Sequence, residues 1–282
     1  MSVYYQRYFP RRDKLSGELI NFKNKDYYFN TDFNSKANMA LWFKENPEEA
    51  KPFSLELLNK LKVARKYKKQ PCQVEMRSLM IPSIITYHQL FNVSFDRIAK
   101  EVGFEETYKY DNNDILASKT DKPNSEFVIS VDTREQQPLK LSCKKIVNKL
   151  DFGDYCAMGD WYSKTFIERK GLSDFIGTMS ERKRFERELD RAASLNSYVI
   201  VLVEEPLSKV LTFDKIKPRL FTRATPTFIF HQVRELIRAY DNIQFLFAKD
   251  RKTSSVLVEK ILRFKEDVRF IDLQYCYDVG AL

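Results

Sequence analysis

The second half of the chain alternates between short β-rich runs and longer amphipathic runs. Apolar and β-branched residues cluster in the segments that we predict to be strands: residues 127–131, 165–168, 198–203 and 243–247. Apolar residues recur at spacings of three and four in the segments that we predict to be helices: residues 143–150, 182–195, 227–240 and 254–264. This alternation predicts an α/β fold in which helices cover a sheet.

The first half of the chain has a mostly helical pattern, with apolar residues at helical spacing in residues 37–46, 53–67 and 75–91. Residues 1–35 mix many aromatic residues with polar ones and contain a turn signal at Ser16-Gly17, which predicts a small β element. Residues 111–126 are polar and contain Pro123, so we interpret this stretch as a linker. The predicted boundaries are listed from the N-terminus: a mostly helical domain at 1–115, a linker at 116–126, and an α/β domain at 127–282.

The composition is that of a packed globular protein, with 43% apolar residues, 22 Phe and 15 Tyr. No apolar run approaches the roughly 18 residues that a membrane helix needs, and the N-terminus does not resemble a secretory signal. The 4 cysteines are scattered without a CxxC pair, which argues against a zinc site or a disulfide framework. We expect a cytoplasmic protein of a bacterial, archaeal or phage-infected cell, with a nuclear location left open.

The formal charge of +9 favours a polyanionic partner, and by itself it leaves nucleic acid, acidic protein and membrane surface open. The densest basic run lies at residues 62–69. We predict that this run contacts DNA phosphates, although a charged helix end gives the same pattern. Its cations are Lys62, Arg65, Lys66, Lys68 and Lys69.

Acidic residues and a lysine in the second half suggest a metal-dependent hydrolase. Glu168 and Lys170 are two residues apart at the end of a predicted strand, so both project from one face and Arg169 from the other. Asp154 precedes them by the length of a hairpin with a turn near Gly159. Carboxylate oxygens hold Mg²⁺, which stabilises the charge that builds on a phosphate during hydrolysis. The pattern therefore predicts one cation between the two carboxylates.

Three ordered blocks of residues resemble the nuclease domain of the XPF family of structure-specific endonucleases. This family belongs to the PD-(D/E)xK restriction-enzyme-like superfamily. The blocks are Val131-Asp132-Thr133-Arg134-Glu135, then Gly153-Asp154-Tyr155, then Glu168-Arg169-Lys170 with Asp174 shortly afterwards. The resemblance implies an α/β, restriction-endonuclease-like C-terminal nuclease domain beside the mostly helical N-terminal domain.

The resemblance also implies roles for individual residues. The implied metal ligands are Asp154, Glu168 and Asp132. The implied catalytic residues are these three together with Lys170 and Glu135. Arg134, Arg169 and Asp174 are implied to lie around the metal and the phosphate. The implied cofactor is Mg²⁺, with Mn²⁺ as a substitute, and the implied substrate is branched or flapped DNA. Nuclease domains of this family often pair, so the resemblance further implies a homodimer.

Some of these residues have a second interpretation that the sequence leaves open. Arg134 and Arg169 could equally be structural ion-pair partners. Arg182, Lys183 and Arg184 open a charged helix that either contacts phosphates or merely faces solvent. Residues 94–104 resemble the first helix and turn of a helix-turn-helix motif, but an ordinary capped helix is favoured.

The leading hypothesis is a DNA endonuclease that uses Mg²⁺ and acts on branched, flapped or junction DNA in recombination, repair or replication. One alternative is a non-catalytic DNA-binding scaffold that retains the nuclease fold. Another is a helix-turn-helix regulator acting through residues 94–104. RNA as the substrate also stays open.

Overall fold

A computed structural model describes residues 36–63, 69–79, 82–108, 126–213 and 224–282. The chain divides into two compact units, Met1–Tyr108 and Lys109–Leu282. The predicted β element at residues 1–35 lies outside the described residues, as do nearly all of the predicted linker and Arg65, Lys66 and Lys68 of the basic run.

The described part of the first unit is helical, as predicted. Its helices are α1 (Lys36–Glu45), α2 (Pro47–Val63), α3 (Gln73–Ser78), α4 (Ile84–Phe91) and α5 (Phe95–Val102). The prediction of continuous helix over residues 75–91 was wrong. Pro82 lies between α3 and α4, where it cannot continue a helix, and Ser83 caps α4 by accepting a hydrogen bond from the Thr86 N–H at 3.3 Å.

Helix α5 is preceded by Ser94 and ends at Gly103, which takes the left-handed conformation with φ of 93°. The described residues that follow, up to Tyr108, contain no second helix. Glu106 pairs instead with Lys69 in an isolated bridge. This part of the structure favours the ordinary capped helix over a helix-turn-helix motif.

The second unit contains a six-stranded mixed sheet, which confirms the α/β prediction. Its order is β2-β1-β3-β4-β5-β6. β1 runs antiparallel to β3, and β3 antiparallel to β4; the pairs β1–β2, β4–β5 and β5–β6 are parallel. The strands are β1 (Val128–Asp132), β2 (Lys144–Asn148), β3 (Tyr155–Ala157), β4 (Thr165–Lys170), β5 (Tyr198–Val203) and β6 (Ile243–Phe247).

Helices cover both faces of this sheet. They are α6 (Leu172–Ser180), α7 (Arg182–Ser194), α8 (Leu207–Val210), α9 (Pro226–Ala239), α10 (Arg251–Arg263) and α11 (Leu273–Asp278), with 3₁₀ turns at Gly159–Trp161 and Lys265–Phe270. On one face, Ile167 and its neighbours pack in a core with Leu257 and Ile261 of α10. On the other face, Phe175 of α6 meets Phe247 edge to face at 5.4 Å. None of the described helices is both long and apolar enough to span a membrane.

The prediction of a helix at residues 143–150 was wrong, because this segment contains β2. Cys143, Ile146 and Leu150 have helical spacing, but Ile146 and Val147 are β-branched residues that favour a strand. All five residues of β2 pair in parallel with β1, from Val128 with Lys144 to Asp132 with Asn148. Pairing with the edge of β1 therefore outweighed the short helical pattern.

Candidate active site

The predicted hairpin exists and brings Asp154 beside the end of β4. Tyr155 of β3 pairs with Ile167 of β4 in antiparallel register. The Asp154 N–H donates to the Ile167 carbonyl at 2.8 Å. The chain turns at the 3₁₀ helix Gly159–Trp161, where the sequence predicted the turn.

Gly153 makes this close approach of the two strands feasible. Its φ is 58°, in the left-handed region that disfavours side chains. A Cβ at this position would lie 2.8 Å from the Ile167 carbonyl oxygen. A side chain here would therefore push Asp154 away from β4.

Glu168 and Lys170 project from the same face of β4, as the alternation of a strand predicts. Lys170 Nζ donates to Glu168 Oε1 at 2.7 Å. The two side chains are partly buried, with 13% of Lys170 and 23% of Glu168 exposed. The pair therefore places a carboxylate and an ammonium group side by side in restricted contact with solvent.

Asp154 is a carboxylate in an unfavourable position for its charge. Burial, helped by the nearby negative charge of Glu168, raises the pKa of Asp154 to about 7. The Arg169 N–H opposes this rise by donating to Asp154 Oδ2 at 2.7 Å. A cation between Asp154 and Glu168 would relieve both the burial cost and the repulsion.

Unlike Asp154, the Asp132 carboxylate accepts several hydrogen bonds on both of its oxygens. Arg134 donates to Asp132 Oδ1 from its backbone N at 2.7 Å and from Nε at 2.6 Å. Asp132 Oδ2 accepts from the Leu150 N–H at 2.7 Å and from Arg134 Nη2 at 3.1 Å. Burial acts to raise the pKa of Asp132, but these hydrogen bonds outweigh it and lower the pKa to about 2. The metal-ligand role of Asp132 stays a prediction, because a cation would have to replace these bonds.

Arg169 points to the opposite face of β4, as predicted, and lies in an ion-pair cluster. Its Nε and Nη2 donate to the two carboxylate oxygens of Glu135 at 3.0 and 3.1 Å. Its Nη1 donates to Glu204 Oε2 at 2.9 Å, and Arg251 Nη1 reaches the same oxygen at 3.5 Å. Only 14% of the Arg169 side chain is exposed. This geometry favours the structural ion-pair alternative for Arg169 and ties Glu135 to the same cluster.

The face that carries Glu168 opens into two neighbouring cavities. The larger, of about 590 Å³, contains both Asp154 and Glu168. The smaller, of about 420 Å³, contains Glu168, Lys170 and Asp174. Arg184 lines both cavities. The acids and the lysine therefore lie where a phosphate could reach them from either side.

Residues 131–261 match the profile of the ERCC4 domain. This part of the chain is similar to an ERCC4 domain. The match covers all the acids and the lysine of the candidate site and confirms the predicted resemblance to the XPF-family nuclease domain.

Solved structures of XPF from Aeropyrum pernix are similar to part of the chain. For XPF in complex with DNA, the identity is 23% and the TM-score 0.36, over 48% of this chain and 63% of that one. For XPF alone, the values are 22% and 0.36, over 54% of this chain and 68% of that one. The chain thus spans less than two thirds of the first of these proteins. A comparison with curated protein sequences finds no match.

Helix α7 separates the three cations that the sequence grouped together. Arg184 lines the cavities, whereas Arg182 pairs with Glu186 at 3.0 Å and Lys183 is not among the lining residues. Sequence reasoning missed Arg187 and Arg191, which line the larger cavity with Arg134. The signal was present in the spacing, because residues 184, 187 and 191 share one helix face.

Outside the matched residues 131–261, the two described cations of the basic run contact their own unit. Lys62 Nζ donates to the Val102 carbonyl at 2.5 Å. Lys69 Nζ lies over the Tyr108 ring, 4.7 Å from its centroid. DNA binding by residues 1–115 therefore stays a prediction, as does the homodimer.

The donor set of the candidate site fits a hard divalent cation. Among the described residues, no group of three or more His, Cys, Asp or Glu side chains is placed to hold a metal ion. Asp154 and Glu168 form a pair, and Mg²⁺ is commonly bound through one or two carboxylates, with waters and substrate phosphate completing the shell. The two residues thus suit Mg²⁺ or Mn²⁺ bound together with a phosphate.

Proposed function

We propose that this protein is a divalent-metal-dependent DNA endonuclease that hydrolyses phosphodiester bonds. The observation that carries the proposal is the juxtaposition of Asp154 and Glu168 in one cavity, with Lys170 bonded to Glu168. Two acids that repel each other reduce stability unless a cation joins them. The ERCC4 domain match, which covers all three residues, supports the same function.

The proposed reaction is a displacement at phosphorus by water. A bond forms between the water oxygen and phosphorus, the bond from phosphorus to the 3′ oxygen breaks, and the proton lost by water is balanced by protonation of the 3′ oxygen. The products are a 5′-phosphate and a 3′-hydroxyl. A divalent cation held by Asp154 and Glu168 supplies Lewis-acid stabilisation of the negative charge on the phosphate.

Lys170 and Arg169 have distinct tasks in this proposal. The Lys170 ammonium is close enough to Glu168 to orient that carboxylate, and it adds positive charge beside the phosphate. Arg169 is a positioning residue, because its backbone N–H fixes Asp154 while its side chain is anchored on the opposite face. Glu135 takes part through that anchor.

Branched, flapped or junction DNA is the substrate class that we propose, on the basis of family resemblance. One of the similar XPF structures is a complex with DNA, which agrees with DNA as the proposed polymer. Mg²⁺ is the proposed physiological cofactor, with Mn²⁺ as a substitute.

The proposal is tested by cleavage of labelled single-stranded, duplex, flap, fork, four-way-junction and RNA substrates. Each is incubated with Mg²⁺, Mn²⁺ or chelator, using the wild type beside Asp154→Ala and Glu168→Ala. We expect metal-dependent cutting that falls by at least about 100-fold in both variants. Asp160→Asn is the matched control, because Asp160 is an exposed acid at the turn of the same hairpin. Binding without cutting in every metal would overturn the enzyme and favour the non-catalytic scaffold.

A further inference from the structure

Helix α7 presents a row of arginines to the cavity that holds the catalytic acids. Arg184, Arg187 and Arg191 are exposed and line the cavity of about 590 Å³ together with Asp154 and Glu168. Their spacing of three and four residues places them on one side of the helix. The row extends for about 10 Å at roughly 1.5 Å per residue.

The counter-charges of these arginines are few. Arg184 Nε lies 3.9 Å from Glu188 Oε1, at the outer limit of an ion pair. Arg191 Nη2 donates to the Asp151 carbonyl at 2.6 Å, and its guanidinium lies 4.7 Å from the Phe152 ring centroid. Arg187 has no carboxylate partner within the described parts of the chain. The cavity also contains the carboxylates Asp151 and Glu188, so its lining carries charges of both signs. We call the row of Arg184, Arg187 and Arg191 the arginine track.

We infer that this row binds the sugar–phosphate backbone of the nucleic-acid strand that leads away from the cleaved bond. The inference rests on the proposed function and adds the residues that hold the strand beside the cut. Arg184 lines both cavities, as Glu168 does, so the row begins at the candidate site. Three guanidinium groups spread over this length can contact successive phosphates of one strand.

Guanidinium groups that contact phosphates fix the position of a strand but do not read its bases. The row of arginines would therefore position the strand beside the acids and impose no base sequence on it.

The inference is tested by the salt dependence of binding, measured in the Asp154→Asn background so that cleavage does not interfere. The probe is a fluorescently labelled thymidine single strand, and binding is followed by anisotropy in the presence of chelator. Each lost phosphate contact should reduce the slope of log affinity against log salt by about 0.7 for a single strand. We expect this reduction in Arg187→Gln and again in Arg191→Gln.

Two cations provide matched comparisons for these variants. Lys249→Gln and Lys252→Gln each remove an exposed charge outside the cavity, the first from the segment after β6 and the second from α10. Both are expected to leave the slope close to that of the Asp154→Asn parent. Equal slopes in all four variants would overturn the track, whereas a loss confined to Arg187→Gln and Arg191→Gln would support it.

Two further measurements test whether a change in the salt slope comes from lost phosphate binding and not from a change in folding or in catalysis. The Arg187 side chain has no hydrogen-bond or ion-pair partner among the described residues, so Arg187→Gln should melt at the parent temperature. In the otherwise wild-type enzyme, Arg187→Gln should raise KM for a single-stranded flap by several-fold and leave kcat nearly unchanged. Failure of the wild type to cut any substrate would overturn the proposed function, and the slopes would still decide whether the track binds a strand.

Discussion

The Asp154 carboxylate is the residue at which chemistry and stability are most directly opposed. Its pKa lies at about 7 in the fold against 3.8 in the unfolded chain, chiefly because of burial. Between these values the unfolded chain loses its proton first, so the stability of the metal-free protein falls as pH rises. Above about pH 7 the ionised Asp154 lowers the free energy of unfolding by the full amount, which is of the order of 4 kcal/mol for such a pKa shift.

Asp154→Asn should therefore stabilise the metal-free protein at alkaline pH. The asparagine retains an oxygen to accept the Arg169 N–H, but it carries no charge. Thermal unfolding in chelator should show a higher Tm than the wild type near about pH 8, and little difference near about pH 4, where both side chains are neutral. An unchanged or lower Tm at the alkaline end would contradict the assigned burial of this charge.

Asp132 should have the opposite dependence on pH. Its folded pKa of about 2 lies below the ordinary value of 3.8, so its ionised form stabilises the fold above about pH 4. That contribution, roughly 2 kcal/mol, should disappear as pH falls through about 2. Urea unfolding of Asp132→Asn beside the wild type measures it, and the difference in unfolding free energy should shrink as the acid is titrated. A difference that does not change with pH would show that the Arg134 and Leu150 hydrogen bonds do not depend on the charge.

At the scale of elements, the β3–β4 hairpin depends on a glycine at one particular place. Gly153→Ala would combine an unfavourable φ of 58° with a contact of 2.8 Å to the Ile167 carbonyl oxygen. We expect a loss of more than the roughly 1–2 kcal/mol that the left-handed conformation alone costs, together with a marked loss of cleavage. Chemical denaturation and the cleavage assay measure the two effects.

Gly159→Ala is the matched control for this substitution. Gly159 has the same φ of 58°, but nothing lies within 4 Å of the position that its Cβ would take. It should show the conformational cost and no loss of cleavage. Equal behaviour of the two variants would mean that the contact with β4 does not position Asp154.

Local patterns predicted these elements well where the pattern was long or the geometry simple. Strand alternation assigned Glu168 and Lys170 to one face of β4 and Arg169 to the other before any contact was known. The pattern failed at residues 143–150, because this short run fits both the helical and the strand spacing of apolar residues. Its pairing with the edge of β1 makes it a strand. Contacts between distant segments, such as Arg169 with Glu204, depend on the order of the strands and could not be inferred from spacing.

At the scale of the whole molecule, the net charge of +9 is an incomplete guide to where a nucleic acid would bind. Lys62 and Lys69 of the densest basic run contact their own unit, whereas the arginines of α7 line the cavity of the candidate site. The helical spacing of the α7 arginines was visible in the sequence, but the side of the helix that faces the acids was not. Only the packing of α7 against the sheet determines that direction.

The alternation along β4 has a consequence for how proteins with this domain can diverge. Arg169 joins Glu135 and Glu204 on one face of the strand, while Glu168 and Lys170 occupy the other. Substitutions of Glu168 and Lys170 therefore leave the anchoring ion pairs untouched, and loss of the Asp154 charge removes a repulsion. Under the proposed function, a duplicated copy of this gene that lost the Asp154 charge would lose its activity and gain stability in the same step. A protein built in this way has an easy evolutionary route to an inactive, durable partner subunit.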